Sequence, residues 1–444
     1  MFENKKIFVL GMARSGYEVA KLLANRNNKV ILNDIKKEQD IKHIQDLEKL
    51  DVKVNLGSSR LDLIDETIDY LVKNPGIRDD NEIVLKAKSL NIPVINEVEV
   101  SYRLLPDDVK IVGVTGSNGK TTTTMLIYEI LKNAKKPVVL AGNMGYPLSG
   151  IVNDIKTGDI LLMEISIQQL CNFDKFKTNI SVLTNIYDAH LDFVGNKENY
   201  INIKKRIFNY HTKDDIAILN YDNYDVLKNT NDIMSYKEYF SKNNYNVKCY
   251  IKDDKIYYEK NEIIKTNELL LTGEHNYENV MAAIMVCKQL KVDNKIIVDT
   301  LKQFKGVEHR IEFVRDLNGV KFYNDSKATN VIATQIALSS FDKPTILLLG
   351  GLDRGHSFDD LLPYMKNVKL VVSFGQTGNR INDFCKKNNI LCKTTEFLDN
   401  AINIAINNSY KGDIILLSPA CASWDQFNSF EERGNKFKEI VNNK

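Results

Sequence analysis

Several things are missing from this sequence, and each absence excludes a class of protein. The six cysteines, Cys171, Cys249, Cys287, Cys385, Cys392 and Cys421, form no C-x-x-C pair. They read as isolated reduced thiols of a cytoplasmic protein. No apolar run reaches the length that crosses a bilayer. The N-terminal stretch, MFENKKIFVLGMARSG, lacks the long apolar segment of a signal peptide. There is no excess of charge, since 60 basic side chains meet 58 acidic ones for a net +2. That balance argues against a general nucleic-acid or membrane-surface role. Repeats and low-complexity linkers are absent too. What remains is 444 residues, 43% of them hydrophobic. That is enough for about three domains, each with a core of its own.

The most informative stretch is Ile111 to Tyr128, IVGVTGSNGKTTTTMLIY. A short apolar run predicts a buried strand, TGSNGK a glycine-rich turn, and Thr121 to Leu131 a helix. Strand, glycine loop and helix make a phosphate cradle, with successive backbone N–H groups and the helix N-terminus aimed at one anion. Gly116 and Gly119 let the backbone approach, while Ser117 and Asn118 complete the loop. Lys120 brings a point charge to the β- and γ-phosphates, and the Thr121 hydroxyl can hold Mg²⁺. The pattern departs from G-x-x-x-x-G-K-[ST], because Val114 stands five before Gly119 and Gly113 comes one place early.

In chain order, KIFVL is a strand ending in GMARSG, where Gly11 and Gly16 take the outer places of G-x-G-x-x-G and Ala13 the middle one. A second strand, KVILND, ends at Asp34, where Rossmann-like folds grip a ribose or base edge. Residues 68–77 give a strand running into Asn74-Pro75-Gly76. Residues 1–105 therefore read as one α/β nucleotide-type domain. The second domain, 106–305, carries the phosphate loop. Its strands DILLMEI and ISVLTN put Glu164 and His190 at C-terminal strand edges, where ligands of open α/β sheets collect. A metal at a phosphate loop needs hard ligands, and these two are the candidates. Residues 200–210 read as a helix carrying Lys204 and Lys205, 245–265 as an antiparallel meander, and 273–290 as a capped amphipathic helix. The third domain, 306–444, alternates strands and helices and reads as a second Rossmann-like unit.

Taken together, TGSNGKT with its early glycine, GNMG at 142–145, EIS at 164–166, NIYDAHLD at 185–192, HNYENVMAA at 275–283 and HR at 309–310 resemble the Mur ligase family. The motifs span all three inferred domains. NDSKATN, LSPACASWDQFNSFEERGNKF, VKNPGI and LGGLDRG resemble the branch of that family that adds D-glutamate, and the DNPR string of a diaminopimelate-adding branch is absent. The resemblance implies an ATP-dependent amide ligase of peptidoglycan precursor synthesis. Its substrates would be UDP-N-acetylmuramoyl-L-alanine in the first domain, ATP in the second and D-glutamate in the third. It would be cytoplasmic, without nucleic-acid partner or membrane span, and a monomer.

The resemblance also implies roles for residues. Lys120 would meet the phosphates. Thr121 and Glu164 would face one of two Mg²⁺ ions and His190 the other. A carbamylated Lys204 would stand beside the second ion, with Lys205 as its adjacent rival. Asn276 and Asn279 would face adenine, Arg310 and Lys327 the phosphates, and Asp325 the ribose. Arg14, Ser15, Asp34, Gly76, Asn143 and Gln169 would face the UDP-sugar. Thr329, Arg354, Ser423 and Phe430 would contact D-glutamate. Two departures stand out. Ile167 and Gln168 replace a more usual serine and phenylalanine before Gln169, and Arg354 stands where some relatives have lysine. A guanidinium holds a carboxylate bidentately, so the second change is compatible. Two other readings are another amino-acid ligase of the same mechanism, such as folylpolyglutamate synthase, and a nucleotide-dependent binding protein without turnover. The DSKATN string argues against the first, and intact Lys120, Glu164, His190 and Lys204 argue against the second.

Overall fold

Apolar runs that lie between glycine turns become the central strands of the chain. The computed structural model describes residues 2–187, 191–271 and 273–444, so His190 lies outside the described residues. Among those described, the strands form three sheets, and the fold is α/β.

The first sheet is wholly parallel and comprises Lys6–Leu10 (β1), Lys29–Asp34 (β2), Lys53–Leu56 (β3), Tyr70–Lys73 (β4) and Val94–Asn96 (β5). Its order is β3-β2-β1-β4-β5, a Rossmann-like arrangement. Along β1 the side chains alternate between two cores. Ile7 and Val9 join one cluster, and Phe8 and Leu10 the other. Helices cover both faces, which is why KIFVL is apolar throughout instead of alternating.

The second sheet comprises Lys110–Thr115 (β6), Val138–Gly142 (β7), Ile160–Glu164 (β8), Ile180–Leu183 (β9), Ile216–Asn220 (β10), Tyr236–Ser241 (β11), Cys249–Lys252 (β12), Lys255–Tyr258 (β13) and Asn261–Lys265 (β14). The order is β14-β13-β12-β11-β10-β9-β6-β8-β7. The strand before the phosphate loop, β6, is thus interior, flanked by β8 and β9. The expected meander is β12–β14, turning antiparallel at β12–β13 through Asp253 and Asp254, both in the left-handed region. The third sheet holds Glu312–Leu317 (β15), Val320–Asn324 (β16), Thr345–Gly350 (β17), Val368–Phe374 (β18), Cys392–Thr394 (β19) and Ile414–Leu417 (β20), ordered β15-β16-β20-β17-β18-β19. Only β15 runs antiparallel to its neighbour.

The chain divides into two compact units, Met1–Ile264 with Glu278–Val298, and Lys265–Tyr277 with Asp299–Lys444. Inside the first unit, two buried glutamates of the helix Glu97–Tyr102 hold the first sheet's layer to the second's. Glu97 accepts from the Ser149 backbone N–H at 2.9 Å. Glu99 accepts from the N–H groups of Asp174, Lys175 and Phe176 and from Arg103. Burial pushes the Glu97 carboxyl up to about 7.

One expectation needs correction. The helix Glu274–Gln289 is not amphipathic, because every side chain from Val280 to Cys287 is fully buried. A helix apolar all round belongs inside a core.

Candidate active site

The phosphate loop is folded by its own backbone. Gly116 sits at φ +151° and Gly119 at φ +81°. A Cβ on Gly116 would lie 1.9 Å from Thr184 Oγ1, and one on Gly119 2.2 Å from Asn279 Oδ1. No larger residue fits at either place. Asn185 and Thr184, just past β9, hold the loop from beneath. The Asn118 N–H donates to Asn185 Oδ1 at 2.8 Å, and Thr184 Oγ1 donates to the Asn118 carbonyl at 2.6 Å. Lys120 Nζ curls back to the carbonyls of Gly116 and Ser117, both at 2.9 Å. The early Gly113 is a strand residue. Its Cβ would meet Thr178 Cγ2 at 2.8 Å, so it serves packing beneath the loop and not the loop itself.

Glu164 ends β8, in register with Val114. It is 2% exposed. One carboxylate oxygen accepts from Asn143 Nδ2 at 2.7 Å, and the other has no partner. An unpartnered buried carboxylate oxygen is costly, and a hard divalent cation is the ligand that suits it. The donor set therefore fits a magnesium ion. Among the described residues no three His, Cys, Asp or Glu side chains cluster as a metal site. An ion here would draw on Glu164, the buried Thr121 hydroxyl and oxygens that the protein does not supply.

Lys204, on the helix Lys197–Lys205, is 1% exposed. Its Nζ donates to Thr115 Oγ1 at 3.0 Å and to the Gly116 carbonyl at 2.9 Å. Burial first, and the Lys120 charge second, drive its pKa well below the usual lysine value, while Glu164 opposes them. Lys205 points elsewhere and pairs with exposed Asp232 at 2.9 Å. Tyr200 OH shares a 2.8 Å hydrogen bond with Ser117 Oγ and steadies the same loop. Sequence reasoning had assigned no part to Thr115, Thr184, Asn185 or Tyr200. Thr115 opens the TGSNGKT motif and Asn185 the NIYDAHLD motif, Thr184 adjoins the latter, and Tyr200 lies four residues before Lys204.

The residues expected at the UDP-sugar lie at or follow the C-terminal ends of β1, β2, β4, β7 and β8. Asp34 staples the first loop, accepting from the N–H groups of Met12 and Lys36. Ser15 accepts from Asn74 at 2.9 Å, and the Gly76 N–H donates to the Asn74 side chain. Arg14 reaches the Gly145 carbonyl and stacks on Tyr146. Gln169 closes a capping box with Ser166, so its side-chain oxygen is engaged in starting the short helix Ile167–Leu170.

Asn279 is buried and accepts from Thr123 Oγ1 at 3.2 Å. In the second unit, Asn276 is buried and Arg310 exposed. Asp325 is buried, with its oxygens taken by Ser418 Oγ at 2.7 Å and the Ile311 N–H at 3.2 Å. Burial pushes its carboxyl up to about 7. Lys327 lies over the Phe430 ring, and the Phe430 carbonyl accepts from Ser326 Oγ. Ser423 is buried, Thr329 half-buried, and Arg354 is exposed over Trp424.

A glycine loop on an interior parallel strand, with a buried lysine and an unpartnered carboxylate beside it, defines a nucleotide-binding α/β enzyme site. Comparison with known proteins narrows the class. Residues 114–287 match the Mur ligase middle domain, and residues 309–421 match the Mur ligase glutamate ligase domain. The chain is 43% identical over 443 residues to proteins of Bacillus cereus (strain AH187) and Bacillus thuringiensis (strain Al Hakam), covering 99% of this chain and 98% of each of them. Both are named UDP-N-acetylmuramoylalanine--D-glutamate ligase. In fold it is similar to the UDP-N-acetylmuramate-alanine ligase MurC of Thermotoga maritima, with TM-score 0.58, 18% identity and 99% of both chains covered. It is likewise similar to MurF of Acinetobacter baumannii, with TM-score 0.60, 15% identity and 98% and 93% covered. The chain belongs to the Mur ligase family.

Proposed function

We propose that the chain is an ATP-dependent ligase that joins D-glutamate to the L-alanyl carboxylate of UDP-N-acetylmuramoyl-L-alanine, a step of peptidoglycan precursor synthesis in the cytoplasm. The observation that carries this reading is 43% identity sustained over 99% of the chain with proteins named for that ligation. The substrate carboxylate attacks the ATP γ-phosphate, giving an acyl phosphate and ADP. The D-glutamate amine then attacks the acyl carbon, and phosphate leaves as the amide forms.

Phosphoryl transfer needs positioning and charge neutralisation more than covalent help. The helix that starts at Lys120 offers its N-terminal backbone N–H groups to the phosphates, those of Ser117 and Asn118 being held by Asn185, and Lys120 brings a cation to the same place. Two magnesium ions, held by Thr121 with Glu164 and by His190 with Lys204, would neutralise charge on the phosphoryl oxygens. For that purpose Lys204 acts as a carbamate. Its amine adds to carbon dioxide and loses a proton, and the resulting anion replaces a cation that would repel the metal. Deep burial beside Thr115 and Gly116 supports Lys204 over its neighbour Lys205 for this role. Asn276, Asn279, Arg310, Asp325 and Lys327 serve ATP. Arg14, Ser15, Asp34, Gly76, Asn143 and Gln169 serve the UDP-sugar. Thr329, Arg354, Ser423 and Phe430 hold D-glutamate.

Phosphate release with ATP, UDP-N-acetylmuramoyl-L-alanine and a panel of amino acids tests the reading. Release that requires all three substrates and is fastest with D-glutamate supports it. Release with a basic amino acid, or with no amino acid at all, overturns it.

A further inference from the structure

The chain contains a single tryptophan, Trp424, and it is 65% exposed next to buried Ser423. The Arg354 guanidinium carbon lies 4.9 Å from the centre of its ring. The loops that carry the two residues are stitched together along their backbones. The Gly350 N–H donates to the Pro419 carbonyl at 3.0 Å, and the Leu352 N–H to the Ala422 carbonyl at 2.9 Å. The approach is so close that a Cβ on Gly351, at φ +148°, would lie 2.3 Å from the Ala422 carbonyl oxygen. Neighbouring Asp353 is tied to Arg380, whereas Arg354 pairs with no carboxylate among the described residues. The backbone leading into Arg354 is therefore set, but its long side chain is exposed. The tryptophan ring is what restrains it.

We propose that Trp424 is a positioning residue, one that holds the Arg354 guanidinium as a carboxylate clamp for the incoming dicarboxylic amino acid. The inference rests on the ligase reading above and deepens it. An indole face is the strongest aromatic partner for a guanidinium. Stacking uses the flat face of the group and leaves its N–H edge free, and the edge is what meets a carboxylate in two parallel hydrogen bonds. The arrangement also explains why arginine suits this position here. A lysine ammonium is a point charge without a planar fork, and stacking would not orient it.

Steady-state kinetics test the proposal. Trp424→Ala is expected to raise the KM for D-glutamate by roughly two- to five-fold, the range of an exposed cation–π contact. The KM values for ATP and the UDP-sugar, and kcat, are expected to stay near wild type. Trp424→Phe, which keeps a ring, should recover most of the loss. In Arg354→Ala protein the tryptophan change should have little further effect, because the group it positions is gone. Since Trp424 is the sole tryptophan, its emission is a direct probe. D-glutamate added to enzyme with ATP and UDP-substrate should shift the emission of wild type, and the shift should vanish in Arg354→Ala. Normal turnover with D-glutamate and an unchanged KM in Trp424→Ala would overturn the proposal and leave the ligase reading standing. No turnover with any acidic amino acid would overturn both.

Discussion

Replacing Gly116 with alanine tests whether the loop works by close backbone approach. At φ +151° the backbone lies in a region nearly reserved for glycine, and a side chain there costs about 1–3 kcal/mol. The new Cβ would also lie 1.9 Å from Thr184 Oγ1. Thr184 must then give up its 2.6 Å hydrogen bond to the Asn118 carbonyl, a loss of about 1 kcal/mol. Together these effects amount to roughly 2–4 kcal/mol, against about 5–15 kcal/mol for a typical folded domain, so the variant should still fold. Activity should suffer more than stability. A shift of about 1 Å at the phosphates lowers kcat by about a hundred-fold. Thr184→Ala removes the clashing oxygen, so adding it to Gly116→Ala should restore part of the stability in a double-mutant cycle. Urea unfolding and ATP-dependent phosphate release are the assays. A Gly116→Ala enzyme with wild-type kcat and KM for ATP would refute the cradle, and strictly additive unfolding energies would refute the Thr184 contact.

Three further outcomes are expected. Lys204→Ala should be nearly inactive and partly rescued by a small carboxylate such as acetate, while Lys205→Ala, which loses only a surface ion pair with Asp232, should be active. The reverse pattern would refute the assignment. His211 bonds through its ring to Thr178, Ser181 and Ser235, and burial holds its pKa down to about 4. Its usual value is near 6.5, so the unfolded chain takes up the proton first as pH falls. The stability from the neutral ring is complete above about pH 6.5 and is lost as pH drops toward about 4, up to roughly 3 kcal/mol. Buried Glu97 and Asp325, both pushed up to about 7, act in the opposite sense, so the check is the gap in urea midpoint between wild type and His211→Gln, which should narrow from about pH 7 to about pH 5; a gap independent of pH would contradict this. Finally, kcat/KM should favour D- over L-glutamate by about 10⁴-fold, since the wrong hand leaves charged groups unpaired. Comparable values would contradict the assignment of Thr329, Arg354, Ser423 and Phe430 to D-glutamate.

Much of the fold was legible because it follows from local rules. Glycine turns between short apolar runs located β1, β6, β8 and β9, and the phosphate loop starts its helix at Lys120, within one residue of the expected start. What was not legible depends on tertiary placement. Strands β10 and β11 carry no ligand motif and were not anticipated. The helix Glu274–Gln289 contains enough polar residues to look amphipathic, yet its later half is enclosed on every side. At the site, residue types pointed to Glu164 and Lys204, but only coordinates reveal an unpartnered oxygen on one and full burial of the other. Asp34 and Gln169 show the converse. Their side chains spend hydrogen bonds on the loops that carry them, which a motif cannot express.

The central claim is that the L-alanyl carboxylate is activated as an acyl phosphate and captured by D-glutamate. It is tested most directly by labelling both oxygens of that carboxylate with heavy oxygen and examining the released phosphate by mass spectrometry. The account predicts that, with ATP and D-glutamate present, each phosphate carries one heavy oxygen and the amide product retains the other. Unlabelled phosphate, or labelled phosphate released equally well without any amino acid, would contradict it.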